Sequence, residues 1–94
     1  MIVLKGDYNG VVIRLPEPAD VKTLCRIANK FSFDIDAISE DRHYVIDAKS
    51  ELGLYSLDLS KNILLHTTGS KEDTQRFFNE IRAYIIEDSI PEEN

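Results

Sequence analysis

The six residues FDIDAI, Phe33 to Ile38, alternate strictly. Phe33, Ile35 and Ala37 fall on one side, and Asp34 and Asp36 on the other. Such a strand keeps one face on a core and one in water, the mark of a half-covered antiparallel sheet. The chain must therefore cover one face of that sheet and leave the other to solvent.

The helical segments suit this arrangement, because each carries a single apolar stripe. In LPEPADVKTLCRIANKF, Pro16 and Pro18 break a strand and open a helix. Val21, Leu24, Cys25, Ala28 and Phe31 follow the spacing of one buried helical face, and Lys22, Arg26 and Lys30 fall opposite. GSKEDTQRFFNEIRAYIIED carries the clearest helical signal. Ser70 and Asp73 have capping-box spacing, and Phe77, Phe78, Ile81, Tyr84 and Ile85 form the stripe. A shorter helix of one to two turns is expected in SELGLYSLDLS.

Strands are expected in GVVIRL (residues 10–15), FDIDAI, HYVIDA and NILLHTT, with SEDR as the turn between the second and third. Asn9-Gly10 is a hairpin-turn signal. Residues 1–9 are therefore either an extra strand over Ile2–Leu4 or a flexible start. Residues 88–94, acidic and containing Pro91, are expected to fray. The order β-α-β-β-α-β-α predicts an α+β, open-faced two-layer sandwich, with a four-stranded antiparallel sheet covered on one face by three helices.

The chain of 94 residues suits one domain over 1–94, large enough for a thin core. Its net charge of −6 disfavours a phosphate backbone as partner, so no nucleic acid is expected. No apolar run approaches the ~20 residues of a membrane span, so no membrane partner is expected either. MIVLKGDYNG lacks a basic start and an apolar signal core, and Cys25 is the only cysteine. Both point to the cytoplasm. His43 and His66 have no second ligand at metal spacing, Cys25 lies on the apolar helical stripe, and Asp34 with Asp36 reads as a solvated strand face. No metal and no cofactor are expected. Gly-rich phosphate loops, paired-carboxylate patterns and triads are missing, so the chain does not read as an enzyme.

Three stretches carry a resemblance. ANKFSFDIDA (28–37), DAKSELGLYSLDLSK (47–61) and TTGSKED (67–73) resemble, in type, spacing and order, segments of the HPr proteins. These are the small phosphocarriers of the bacterial sugar phosphotransferase system. The resemblance implies four core strands in spatial order 1-4-2-3. It also implies a phosphate-accepting histidine in the motif G-[IL]-H-A-R-P before the first helix. Here that region reads GVVIRLPEPADV, with Glu17 near the histidine's place and Ala19 near the arginine's. Imidazole is the nucleophile of such a transfer, and a cation and helix N-terminus hold the phosphate. Glu17, with Asp20, would repel it.

Ser50 matches the family's regulatory serine, the target of an ATP-dependent serine kinase in carbon catabolite control. From the residues alone, Ser50 is the N-cap of the short helix. Lys49 could screen a phosphate there, and Glu51 adds like charge. Lys49, Glu51, Leu52 and Tyr55 form the expected partner-binding patch, with Leu54 and Leu57 expected in the core. The resulting expectation is a divergent, non-catalytic HPr-like protein, serving regulation and binding proteins of the phosphotransferase or carbon-regulation network. The alternative is a small structural or assembly module of the same fold, forming a homodimer through its N-terminal strand edge.

Overall fold

The structure is a computed structural model, and it describes residues 8–87. The strands are β1 (Gly10–Ile13), β2 (Ile35–Ser39), β3 (Val45–Asp47), β4 (Ile63–Thr67) and β5 (Ile85–Glu87). The helices are α1 (Pro18–Ala28), α2 (Glu51–Tyr55) and α3 (Lys71–Glu80), and a 3-10 turn spans Arg82–Tyr84. The strands form one antiparallel sheet in the order β3-β2-β4-β1-β5. The expected α+β sandwich is present, and its four core strands run in the order 1-4-2-3.

Alternation places the core on one face. Val11, Ile13, Ile35, Ala37, Ile63 and Leu65 point from β1, β2 and β4 into the buried cluster. Val21, Leu24, Ile27 and Ala28 meet them from α1, Leu54 from α2, and Phe77 and Phe78 from α3. Ile27 joins the stripe predicted for α1. Cys25 sits at its rim, half-buried, rather than inside it. Phe31, Phe33 and Phe77 stack in tilted and edge-to-face pairs, with ring centroids 5.4–6.3 Å apart. Where α3 meets β4, the hydroxyls of Thr67 and Thr74 are buried and satisfy each other at 2.7 Å.

The sheet has a fifth strand where the sequence predicts the end of a helix. α3 stops at Glu80. Ile81 leaves helical geometry at φ −104°, ψ 15°, and Ile85 is extended at φ −78°, ψ 128°. The reason is tertiary. Without β5 the outer edge of β1 would present unpaired backbone groups. Ile85–Glu87 pairs with it at Val12 and Ile13, and the Arg14 amide donates to the Tyr84 carbonyl at 3.0 Å. β-Branched Ile85 and Ile86 suit a strand better than a helix end. Tyr84 and Ile85 still pack on the core, so the apolar stripe is kept in a different backbone.

β1 is also shorter than expected, ending at Ile13, although Leu15 remains buried. With β4 on one side and β5 on the other, β1 offers no open edge at Val12 and Ile13 for a second copy. A hairpin strand over Ile2–Leu4 lies outside the described residues, as does the acidic end, 88–94.

Gly69, between β4 and α3, has a packing role. A Cβ there would stand 2.7 Å from the Phe33 ring. That ring is held against Phe31 and Phe77 and has little room to give. Gly69→Ala should cost about 1–3 kcal/mol of stability by overpacking, seen as a lower urea midpoint with an unchanged slope. An unchanged midpoint would mean that the aromatic cluster yields freely.

Candidate functional site

Two short segments meet at one end of the helical layer: the entry to α1 and the corner between β3 and α2. Pro16 and Pro18 force the chain out of β1 and into α1. Glu17 becomes the N-cap, extended at φ −124°, ψ 149°. The Glu17 amide donates to Asp20 Oδ2 at 2.9 Å, and the Asp20 amide donates to the Glu17 carbonyl at 2.9 Å. The positive end of the α1 dipole is thus met by the chain's own carboxylates. Glu17 is exposed and Asp20 half-buried.

The second segment is built around Lys49. Its carbonyl accepts from Cys25 Sγ at 3.2 Å and from Asn29 Nδ2 at 3.1 Å. Its ammonium donates to the Phe31 carbonyl at 2.6 Å. The corner before α2 is therefore fastened to the last turn of α1 and the residues after it. Lys49 is half-buried in this joint, and its charge is directed to Phe31 rather than standing free for a phosphate. Burial pushes the Cys25 thiol up from its ordinary pKa, and the negative charges of Glu51 and Asp47 push the same way against the Asn29 hydrogen bond. This thiol is a packing and hydrogen-bonding group, not an activated nucleophile.

Ser50 caps α2, its Oγ accepting from the Gly53 amide at 3.1 Å. The side chain is exposed. Gly53 fits because a Cβ there would come within 3.3 Å of that Oγ. In the following turn, Leu54 is buried while Leu52 is 85% exposed and Tyr55 39% exposed. Tyr55 reaches back across the gap, its hydroxyl donating to the Pro18 carbonyl at 3.3 Å. Leu52 and Tyr55 on α2, Glu51 beside them and Glu17 at the α1 entry thus belong to one surface region. The Tyr55–Pro18 bond is a link that helical periodicity does not reveal.

The histidines lie elsewhere. His43 is exposed on the β2–β3 turn, 3.5 Å from Asp41, and His66 stands on the open sheet face, paired in register with Asp36. A cleft of about 490 Å³ opens beside that turn, with Glu40, Asp41, Tyr44, Asp58 and Lys61 among its lining. Its carboxylates already serve the local turns. Asp41 accepts from the Ser39 hydroxyl and the His43 amide, Asp58 from Ser60, and Glu40 from the Asn62 amide. The serine hydroxyl bonds hold Asp41 and Asp58 below the ordinary carboxylate pKa.

This layout can be set beside known proteins. No family model matches the chain, and no curated protein matches it. Among solved structures, it resembles the crystal structure of a phosphocarrier protein HPr from Bacillus anthracis str. Ames. The TM-score is 0.58 at 26% sequence identity, covering 81% of this chain and 92% of that one. The fold is HPr-like. An HPr-like chain with Glu17 at the entry to α1 and with its histidines at 43 and 66 is a divergent one.

The Ser50 cap is directly testable. Ser50→Ala should lower stability by about 1 kcal/mol, and Ser50→Asp, which keeps an acceptor at the N-cap, should retain most of it. Thermal unfolding of the two variants beside the parent chain checks this. Equal losses in both would show that the hydroxyl is not acting as the cap.

Proposed function

We propose that this HPr-like protein is a regulatory, protein-binding module of the bacterial cytoplasm, without histidine phosphotransfer. Its partners are proteins of the sugar phosphotransferase or carbon-regulation network. The observation that carries the reading is the entry to α1. A phosphoryl acceptor at that place needs a nucleophile and free positive potential. Here Glu17 is the cap, the Asp20 carboxylate is hydrogen-bonded into it, and both charges oppose an incoming phosphate.

Beside this entry, Leu52 and Tyr55 supply apolar surface, and Glu17 and Glu51 supply negative charge. A complementary partner presents an apolar side chain ringed by basic residues. The buried neighbour Leu54 and the joint at Lys49 hold α2 in place, so the patch is presented without reordering. This fits a binding role better than a catalytic one.

Ser50 is the second element of the proposal. Its exposed hydroxyl caps α2, where a phosphate would meet backbone N–H groups. Glu51 next to it adds repulsion, so phosphorylation would make the patch strongly negative and bias it towards, or away from, a partner according to the partner's charge. The kinase is an HPr-type serine kinase using ATP.

One experiment separates these elements. With phosphoenolpyruvate and the general enzyme of the phosphotransferase system, the protein should stay unlabelled under conditions that fully label a control HPr. Acid-labile phosphate on it would overturn the non-transfer reading. With ATP and the serine kinase, one phosphate should appear by mass and be lost in Ser50→Ala. No mass shift, with the control HPr modified, would remove the switch.

A further inference from the structure

β3 is an outer strand of the sheet, hydrogen-bonded to β2 alone among the described residues. The Ser39 amide donates to the Tyr44 carbonyl and the Ala48 amide to the Ile35 carbonyl, each at 2.9 Å. Antiparallel pairs alternate, so Tyr44, Ile46 and Ala48 turn their backbone groups towards β2. His43, Val45 and Asp47 turn theirs to the open edge. Two groups on that edge are already used. The His43 amide donates to Asp41 Oδ1 at 3.0 Å, and the Asp47 carbonyl accepts from the Ser50 amide at 2.9 Å. The Val45 amide and carbonyl, the Asp47 amide and the His43 carbonyl have no partner among the described residues.

The side chains along this edge are open as well. Tyr44 is 64% exposed and Val45 60%. Tyr44 and Ile46 stand on the helical side of the sheet, where Ile46 packs against the core, and Val45 and Asp47 stand on the other. Apolar side chains beside unpaired backbone groups are what an added strand covers.

We propose that this edge pairs with the same edge of a second copy, antiparallel about a two-fold axis through Val45. HYVID, residues 43–47, is complementary to itself in that register. Val45 faces Val45 of the second copy, and the two exchange both backbone bonds. His43 faces Asp47 of the second copy. There the two used groups oppose each other, while the free Asp47 amide meets the free His43 carbonyl. Tyr44 lies against Ile46 of the second copy, a cross-strand pair of an aromatic and a β-branched residue. The His43 Nδ1 is 3.5 Å from Asp41, which leaves Nε2 to donate to the Asp47 carboxylate of the second copy.

Other registers lose these matches. Centred on Ile46, the pairing aims the Val45 amide at the used Asp47 carbonyl. Centred on Tyr44, it sets the Val45 carbonyl against the used His43 amide. Centred on Asp47, it brings two carboxylates together. The net charge of −6 opposes association, but in the Val45 register the two Asp47 side chains stand four residues apart along the strands. That is about 14 Å, beyond the screening length of about 8 Å at physiological salt, and each faces an imidazole. β1 offers no comparable edge at Val12 and Ile13, where β5 is paired. The contact is short, at the small end of specific interfaces, below roughly 1,200 Å². The dimer is therefore a weak one, with a dissociation constant on the order of 0.1–1 mM.

Sedimentation equilibrium of the full chain up to about 1 mM, with amide spectra recorded on dilution, tests this. The average mass should climb from monomer towards dimer, with the largest shifts at the Val45 and Asp47 amides. Val45→Pro removes the outward amide and spares the ladder to β2, so it should stay monomeric. His43→Asp alters only the exposed turn, sets like charges opposite each other, and should weaken association several-fold. A monomer at the highest concentration, dilution shifts confined to α1 and α2, or unchanged association in either variant would overturn the proposal.

Discussion

β4 is hydrogen-bonded to β2 on one side and to β1 on the other, and its side chains alternate between two different environments. Ile63, Leu65 and Thr67 face the helices, whereas Leu64 and His66 face away. This central strand sets the register of everything around it. A slip of one residue would send Leu65 to the open face and His66 into the core, with an unpartnered imidazole buried among aliphatic groups. α1, α2 and α3 are arranged around the face that β4 makes apolar. The Thr67–Thr74 hydroxyl pair places one polar tie in the contact between β4 and α3.

From that layer the structure presents its candidate surface by a second constraint, the joint at Lys49. Backbone and side chain of one residue bind Cys25, Asn29 and Phe31 at once. The next residue, Ser50, starts α2. A helix of five residues has little stability of its own. Its place comes from the cap, from buried Leu54 and from this joint, and its exposed face carries Leu52 and Tyr55. The Tyr55–Pro18 bond then links it to the entry of α1, where Glu17 and Asp20 hold the helix start.

Much of this was legible in the residues, because it rests on local chemistry. The alternation at FDIDAI, the prolines before α1 and Ser50 or Ser70 before helical stripes each name their structure without help from the rest of the chain. Their order, with the segments resembling HPr, was enough for the fold. What escaped depends on distant partners. RAYIIE has a helical stripe and a strand composition at once, and only the vacant side of β1 decides between them. Lys49 reads as a surface cation beside Ser50 until the Phe31 carbonyl claims it. Cys25 follows the apolar spacing, yet its sulfur is drawn to the rim by the Lys49 carbonyl.

The role of this surface depends on whether the start of α1 can receive an anion. The amides of Ala19, Asp20 and Val21 report on that end of the helix, where the Asp20 amide already donates to the Glu17 carbonyl, and the carboxylates of Glu17 and Asp20 close it to an anion. Titration of the protein with inorganic phosphate, followed by the amide resonances of these three residues, measures this directly. The predicted result is no saturable shift in the parent chain, with a response appearing once Glu17 and Asp20 are replaced by Gln and Asn. Saturable shifts at those amides in the parent chain would contradict the account.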